Sequence, residues 1–494
     1  MIHAETMEFG RAVSTRRGFV SGTLSAAGLT VAGMRPWYAF AGGTKPAQPC
    51  CATPKLRFGV VSDVHVRTET GPYGTETLLK AFEWFRDQGV DGVVIAGDMA
   101  DHGLIAQLQY VADAWERAFP NGRGLGDKPV EKLFIYGNHD IEGFKYPKAK
   151  PAPEETIVAD RAAAWERVFK EPYAPIWKKT VKGYTFIGAH WDSWKGVPAI
   201  EPYMKEHAAE LRGNRLFFYI QHPHPKETCH GPWAWGRDDG FAGRSLSSFP
   251  NAVAFSGHSH HPLTDERSIW QGAFTSIGTA SLRYIDPIYG RENAGPHALD
   301  DLKQMPFVNQ YDGRQGMLVS VYGDRIVVER RAFLHDGKLG PDWVIPLSAA
   351  KGRPFSFKAR AERAVAPQFP AGAEVAVTGP ADGKDRKGRT VKQLTVTFPA
   401  ALHGEGQTRA YDYEVVAEAE ECDVRRVVCT KRVYSSAYFL PPAQEPEMVS
   451  CVFSLSELNT RKGPYFSPTV RFTIRAAETF GKASAPLLSA AVRL

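Results

Sequence analysis

The stretch LRFGVVSDVH at residues 56–65 is an apolar run that breaks on an Asp-x-His. Near-continuous apolar strands belong to parallel sheets buried on both faces, and in open α/β sheets ligands gather just outside the carboxyl ends of strands. The same arrangement returns four times. GVVIA at 92–96 runs into Gly97-Asp98, and KLFIY at 132–136 into Gly137-Asn138-His139-Asp140. LFFYIQ at 216–221 runs into His222, and AVAFS at 252–256 into Gly257-His258-Ser259-His260. Between the first two strands, residues 75–88 carry Leu78, Leu79, Phe82 and Phe85 at helical spacing, and Gly89 stops that helix. A similar helix fits 104–119. The fold class that follows is α/β, opened by a βαβαβ run that holds three of the five motifs. Gly97, Gly137 and Gly257 allow sharp turns that bring the following side chains close together.

Asp63, Asp98 and Asn138 offer oxygen donors, while His65, His222, His258 and His260 offer imidazole nitrogens. Such a mixed set suits two divalent or trivalent transition-metal ions (Fe, Mn, Zn, Ni or Co) better than magnesium or calcium. No cysteine lies in the motifs, which excludes a structural thiolate zinc site there. Two ions roughly 3.5–4 Å apart can share one carboxylate and clamp both ends of an in-line displacement. Asp98 is the natural shared carboxylate, being the lone acid of its motif and lying between the other two ligand pairs in sequence. Each piece alone means little, because a buried histidine is usually a satisfied core residue; the ordered set carries the reading.

With all five pieces in this order, the chain resembles the calcineurin-like metallophosphoesterase superfamily over about residues 57–260, with supporting strands to about 347. The resemblance implies a two-sheet sandwich flanked by helices. It puts Asp63, His65, Asp98 and His260 on one metal and Asp98, Asn138, His222 and His258 on the other. A metal-bridging hydroxide would attack a phosphate mono- or diester, and His139 would be the catalytic imidazole. Asp101 fits the superfamily's extended motif as the carboxylate that orients His139. Asp140 supports the site or is a turn residue. Protein phosphatases carry arginines where this chain has His102 and Tyr136, and purple acid phosphatases a tyrosine where it has Asp101. Those departures argue against both, and the Gln221-His222-Pro223 context favours a diesterase slightly. Arg67 and His102 are candidates to contact substrate phosphate. His190 and Asp192 end a strand over 184–189 beside the cleft; His224, His230 and His261 read as exposed loop residues. Trp191, Trp194, Trp233 and Trp235 either wall a substrate's organic part or pack under loops, with packing favoured. A binding protein on an inactive version of the fold is the alternative from another class, and the complete ligand set opposes it.

The N-terminus reads as an address. Ser14-Thr15-Arg16-Arg17-Gly18-Phe19-Val20, an uncharged stretch to Met34, and Ala39-Phe40-Ala41 resemble a bacterial twin-arginine (Tat) signal peptide over 1–41. The stretch is rich in Gly, Ala, Ser and Thr, too weakly apolar for a membrane span. That implies Tat export to a periplasmic or secreted location, with no stable membrane anchor after cleavage. Cys50-Cys51 follow Ala47-Gln48-Pro49, which is no lipobox. Residues 42–54 read as a linker, 55–347 as the catalytic core and 355–494 as a second domain. A hairpin over 316–321 and 325–331 is expected to close the core's second sheet. Past 354, short alternating strands at 374–378, 393–397, 412–417 and 469–476 indicate an all-β sandwich, whose last strands resemble a fibronectin type III domain. Six cysteines are too few for a disulfide framework, although an oxidising compartment permits one bridge among Cys422, Cys429 and Cys451. A net charge of +6 without long basic runs does not indicate nucleic-acid binding. The proline-rich piece at 146–153 reads as a surface loop near the site.

Overall fold

The computed structural model describes residues 53–68, 75–146, 149–213, 215–231, 234–286, 313–348, 352–385, 388–402, 409–421, 424–438, 440–441, 444–458 and 469–494. The stretch read as a signal peptide, the following residues to 52, Trp233, Cys422 and part of the 146–153 loop lie outside these residues.

The chain begins with β1 (Leu56–Val61), α1 (Thr75–Asp87), β2 (Gly92–Ala96), α2 (Ile105–Ala118) and β3 (Glu131–Ile135). The three strands pair in parallel. Short α3 (Asn138–Glu142) and α4 (Arg161–Phe169) lead to a second sheet of β4 (Ile176–Val181), β5 (Tyr184–Ala189), β6 (Phe217–Ile220), β7 (Ala252–Ser256), β8 (Ile269–Gln271) and β9 (Thr275–Gly278). Within it, α5 (Ile200–Glu206) and α6 (Ala208–Leu211) precede β6, and α7 (Phe241–Leu246) precedes β7. Strands β5, β6, β7 and β9 run parallel, in the order β4-β5-β6-β7-β9-β8.

Alternation along β1 explains the layering. Leu56, Phe58 and Val60 enter the core between the sheets, and Val61 enters the core against α1, α2 and α4. The Phe58 ring meets Phe186, Phe218 and Phe255 of the opposite sheet edge-on, at centroid distances of 5.2, 4.8 and 5.8 Å. Gly59 faces the other way, where a Cβ would overlap the Phe85 ring of α1. Helix α1 buries Leu78, Ala81, Phe82 and Phe85, one stripe at helical spacing. The outer face of the second sheet packs on α5 and α7 through Ile187, Tyr219, Ile200, Met204 and Leu246. The result is a helix–sheet–sheet–helix sandwich.

Two expectations need correction. The late hairpin, β10 (Gln315–Val321) and β11 (Arg325–Ala332), extends the first sheet, with β10 antiparallel to β1. Every residue of β10 is buried, because it is an interior strand between β1 and β11. Strands β12 (Gly337–Lys338) and β13 (Trp343–Pro346) both pair with β11. The proposed boundary at 347–354 is also early in packing terms: Phe355 lies in the core between the sheets and its N–H donates to Gln271 Oε1 at 3.0 Å. It leads into α8 (Phe357–Arg363), a helix the sequence reading did not expect.

Beyond α8 all sheet pairing is antiparallel. One sheet holds β14 (Ala376–Lys384), β15 (Thr390–Pro399) and β18 (Met448–Ser454); the other holds β16 (Asp412–Glu421), β17 (Val424–Tyr434) and β19 (Thr469–Ala477), with short strands at Leu487–Leu488 and Val492–Arg493. Leu394, Val396, Phe398 and Phe453 from the first meet Tyr413, Val415, Phe472 and Ile474 from the second in one core. Among the described residues, no helix is long and apolar enough to cross a membrane.

Candidate metal centre

Five parallel strands, three from one sheet and two from the other, end at one place. Asp63, Asp98, His222 and His258 each stand two residues past the end of β1, β2, β6 and β7, and Asn138 opens α3 just beyond β3. Asp63, His65 and His260 each bring a ligand atom within 4.8 Å of the others, as do Asp98, His222 and His258, and also His65, Asp98 and His139. Asp63 Oδ1 lies 2.9 Å from His260 Nε2. Asp98 Oδ2 lies 3.1 Å from His222 Nε2 and 3.8 Å from His65 Nε2, so it faces both groups.

The backbone is bent to make this possible. Asp63, His65, Asp98, His258 and His260 all adopt positive φ, between 48° and 69°. Such conformations are uncommon for residues with a Cβ, cost on the order of 1 kcal/mol or more each, and concentrate at functional sites. Asp63 N–H donates to Gly97 O at 3.0 Å, and Val64 and His65 N–H to Asp98 O at 2.8 and 3.0 Å. Gly97 has φ 90° and a Cβ there would overlap His222 Nδ1; one on Gly137 would overlap Asp98 Oδ1.

Hydrogen bonds behind the cluster fix the tautomers. His65 Nδ1 lies 3.0 Å from Asp101 Oδ1, His222 Nδ1 2.7 Å from Ala96 O, and His260 Nδ1 3.0 Å from Tyr284 O. Each partner is an acceptor, so each Nδ1 carries a proton, and each Nε2, once deprotonated, presents a lone pair inward. His65 Nε2 and His260 Nε2 then face one another at 3.2 Å, and His222 Nε2 faces a carboxylate oxygen. Asn138 donates from Nδ2 to the Tyr146 hydroxyl at 2.9 Å, while its buried Oδ1 has no hydrogen-bond partner among the described residues. Acceptors aimed at acceptors in a buried space call for positive charge between them. The donor set therefore fits metal ions.

The electrostatics agree. Burial opposes ionisation of Asp98, but His222, His139 and His65 outweigh it and hold the carboxyl well below its usual range. Burial drops His65 to about 4 and His258 to about 3, keeping both imidazoles neutral near pH 7. Burial lowers His222 and His260, but Asp98 pushes the first up to about 9 and Asp63 raises the second, so the carboxylates draw a proton to each Nε2, the place a metal ion would take.

Asp101 is placed differently from expectation. Its carboxylate binds His65 and Arg67, with His102 Nε2 3.3 Å away, whereas His139 Nδ1 meets the Asp101 backbone carbonyl at 2.7 Å. The His139 Nδ1 to carboxylate distance is 3.8 Å. Asp101 thus orients His139 through its main chain and His65 through its side chain. Arg67 and His102 flank the same carboxylate.

Asp140 is the residue whose importance sequence reasoning left open. Its Oδ1 accepts from Ala100 N–H and its Oδ2 from Gly137 N–H, both at 2.7 Å, which clamps the loops after β2 and β3 together. Burial and the neighbouring Asp98 push its carboxyl well above the usual range. Ser62, which donates to the Asp63 carboxylate, and Thr279, whose hydroxyl backs Ser62, gave no signal beyond lying at strand ends. His190 sits behind the cluster, accepting from Tyr136 N–H at 2.9 Å. His224, His230 and His261 are buried, contrary to expectation, because their two loops pack ring on ring, with centroids 5.4 and 4.5 Å apart. Trp191 is buried, but Trp194 and Trp235 are exposed beside His258.

Residues 56–262 match the model of the calcineurin-like phosphoesterase family. No curated protein matches the chain in sequence. Among solved structures the chain is similar to a dimetal phosphatase from Danio rerio, at 12% identity over 60% of this chain and 100% of that one, with a TM-score of 0.35. It is also similar to a purple acid phosphatase from yellow lupin, at 14% identity over 59% and 53% of the two chains, TM-score 0.39. A third is an uncharacterised, predicted phosphoesterase from Streptococcus pneumoniae, at 13% identity over 59% and 97%, TM-score 0.26.

Replacing Asp140 by Ala removes both acceptors of the clamp. The variant is expected to lose about 2–4 kcal/mol of stability in urea unfolding; a loss below about 0.5 kcal/mol would show that the clamp does not hold the loops.

Proposed function

With residues 56–262 a calcineurin-like phosphoesterase domain and the chain a hydrolase of phosphoric esters, we propose that it acts with two transition-metal ions, one held by Asp63, His65, Asp98 and His260 and one by Asp98, Asn138, His222 and His258. The observation that carries this is the set of inward lone pairs described above, each fixed by a hydrogen bond on its far side. Bound there, the ions supply Lewis acidity that makes water nucleophilic near neutral pH and offsets charge on the phosphoryl oxygens.

The chain's own groups do the rest. His139 is the most open member of the cluster, with its side chain 27% exposed. Its backbone N–H donates to Asp98 Oδ1 at 2.8 Å, and its ring is steered by the Asp101 carbonyl and by the Tyr146 ring at 4.8 Å. With Nδ1 engaged, Nε2 is the atom that carries a proton to the departing oxygen, a task suited to an imidazole near pH 7. Asp101 is a positioning residue for both His139 and His65. Arg67 and His102, at the rim beside Asp101, are the groups to meet a substrate oxygen.

Phosphodiesters are the favoured substrates. Among the described residues, Arg283 is tied to the His65 carbonyl and Arg67 shares its charge with Asp101, so Arg67 meets the substrate with its charge partly offset. A singly charged diester needs less added positive charge than a doubly charged monoester. We further propose, from the sequence at 14–41, export by the Tat machinery to the periplasm or beyond, and a fibronectin type III-like character for the C-terminal sandwich.

His139→Ala should lower kcat by about 10²–10⁴-fold with metal content by elemental analysis unchanged; loss of metal would refute the assigned role. Asp98→Asn should leave fewer than two ions per chain, and retention of both would count against a shared carboxylate. In paired assays, kcat/KM should be higher for a bis-aryl than for a mono-aryl phosphate; the reverse order rejects the diesterase preference. Replacing Arg16 and Arg17 by Lys should trap the protein in the cytoplasm, and continued export would reject the Tat reading.

A further inference from the structure

Beside His258 a cleft of about 270 Å³ opens between Trp194, Trp235, Gly236, Arg237 and Asp239. Of the large apolar side chains exposed among the described residues, only Trp194, at 56%, and Trp235, at 48%, are aromatic. Leaving two indoles in water forgoes the burial of some of the largest apolar surfaces a side chain offers. Both stand at one imidazole, with centroids 5.4 and 5.3 Å from the His258 ring.

Neither indole is loose. Trp194 lies edge-on against buried Trp191 at 5.2 Å. Trp235 is held by its own loop, where the carbonyl of the next residue, Gly236, accepts from His224 N–H at 3.0 Å. Gly236, at φ 79°, lets this loop lie on the site, where a Cβ would press on the His258 ring and on Ser259. Arg237 is fastened to Ala234 O at 2.9 Å and adds a cation to the lining. The aromatic surface is therefore formed in advance, and a ligand that stacks on it loses little side-chain entropy.

We propose that this cleft receives a planar aromatic or heteroaromatic ring carried by the phosphoester, so that Trp194 and Trp235 set the substrate class. The proposal rests on the two-metal hydrolase reading of the adjoining site. A flat ring gains stacking on the indoles and a cation–π contact with Arg237, whereas an alkyl group gains only buried area. The volume suits one ring system, below the range of sites for larger ligands.

The test measures binding of phenylphosphonate, a nucleoside phosphonate and methylphosphonate to the metal-loaded protein, by calorimetry and tryptophan emission. Ring-bearing ligands should bind more tightly than methylphosphonate and quench the emission. Trp194→Ala and Trp235→Ala should weaken the ring-bearing ligands about 5- to 100-fold, with methylphosphonate held within about twofold, and Trp194→Phe should recover most of the loss. Tighter binding of the nucleoside ligand assigns the cleft to a base, and tighter binding of the phenyl ligand to a simple aryl group. Equal affinity for all three ligands, or equal weakening of all three in the variants, overturns the proposal. A protein that binds phenylphosphonate through these tryptophans yet hydrolyses no phosphoester upholds the cleft and overturns the hydrolytic reading beside it.

Discussion

Mutual confrontation of acceptors is the constraint on which the rest of this molecule depends. Two buried carboxylates, three imidazole Nε2 atoms with fixed tautomers and one amide oxygen that has no partner among the described residues converge at one place. Left alone, each buried acceptor without a partner costs on the order of 1–3 kcal/mol, and five left-handed residues add to that. A fold tolerates such a concentration when something that binds the native state compensates, and metal ions of the proposed kind do so by mass action. Catalytic capacity and folding stability are then coupled through the same atoms.

The seam between two sheets makes the convergence possible. Asp63, Asp98 and Asn138 come from strands of one sheet, and His222, His258 and His260 from the other. Their spacing is set by how closely the sheets pack, which is the work of Phe58 against Phe186, Phe218 and Phe255. Hydrogen bonds cross the seam as well: Trp177 Nε1 donates to Phe134 O at 3.1 Å and Trp191 N–H to Tyr136 O at 3.0 Å. A carboxylate on one side and an imidazole on the other thus report on a single interface.

The C-terminal sandwich is joined physically to this centre. Tyr284 offers its carbonyl to His260 and packs its tilted ring against that imidazole at 4.3 Å, while the next residue, Ile285, packs with Tyr411, Tyr434 and Tyr438 of the sandwich. Arg267 lies over the Tyr411 ring at 4.9 Å, and Arg360 of α8 pairs with Glu266. The segment that steadies one wall of the candidate metal centre is therefore held from behind by the second domain, which explains why the division drawn at 347–354 is not a division in packing.

Local chemistry was legible in the sequence. Apolar runs ending on Asp, Asn and His placed the ligand set at strand termini, since a buried parallel strand and a sharp turn after it each leave a direct mark on composition; the stripe of α1 was readable for the same reason. What depended on distant partners was not. Asp140 could support the site or merely make a turn until its two oxygens meet Ala100 and Gly137. Asp101 reads as a carboxylate for His139 until its side chain swings to His65 and only its carbonyl remains. His224, His230 and His261 look like loop histidines until two loops close over them, and β10 reads as part of the second sheet until it pairs with β1 in the first. The sequence by itself determined which atoms could bind metal, because donor type is a property of the residue. Tertiary structure alone decided which way each lone pair points and which tryptophans stay in water, because direction and exposure are properties of what packs behind them.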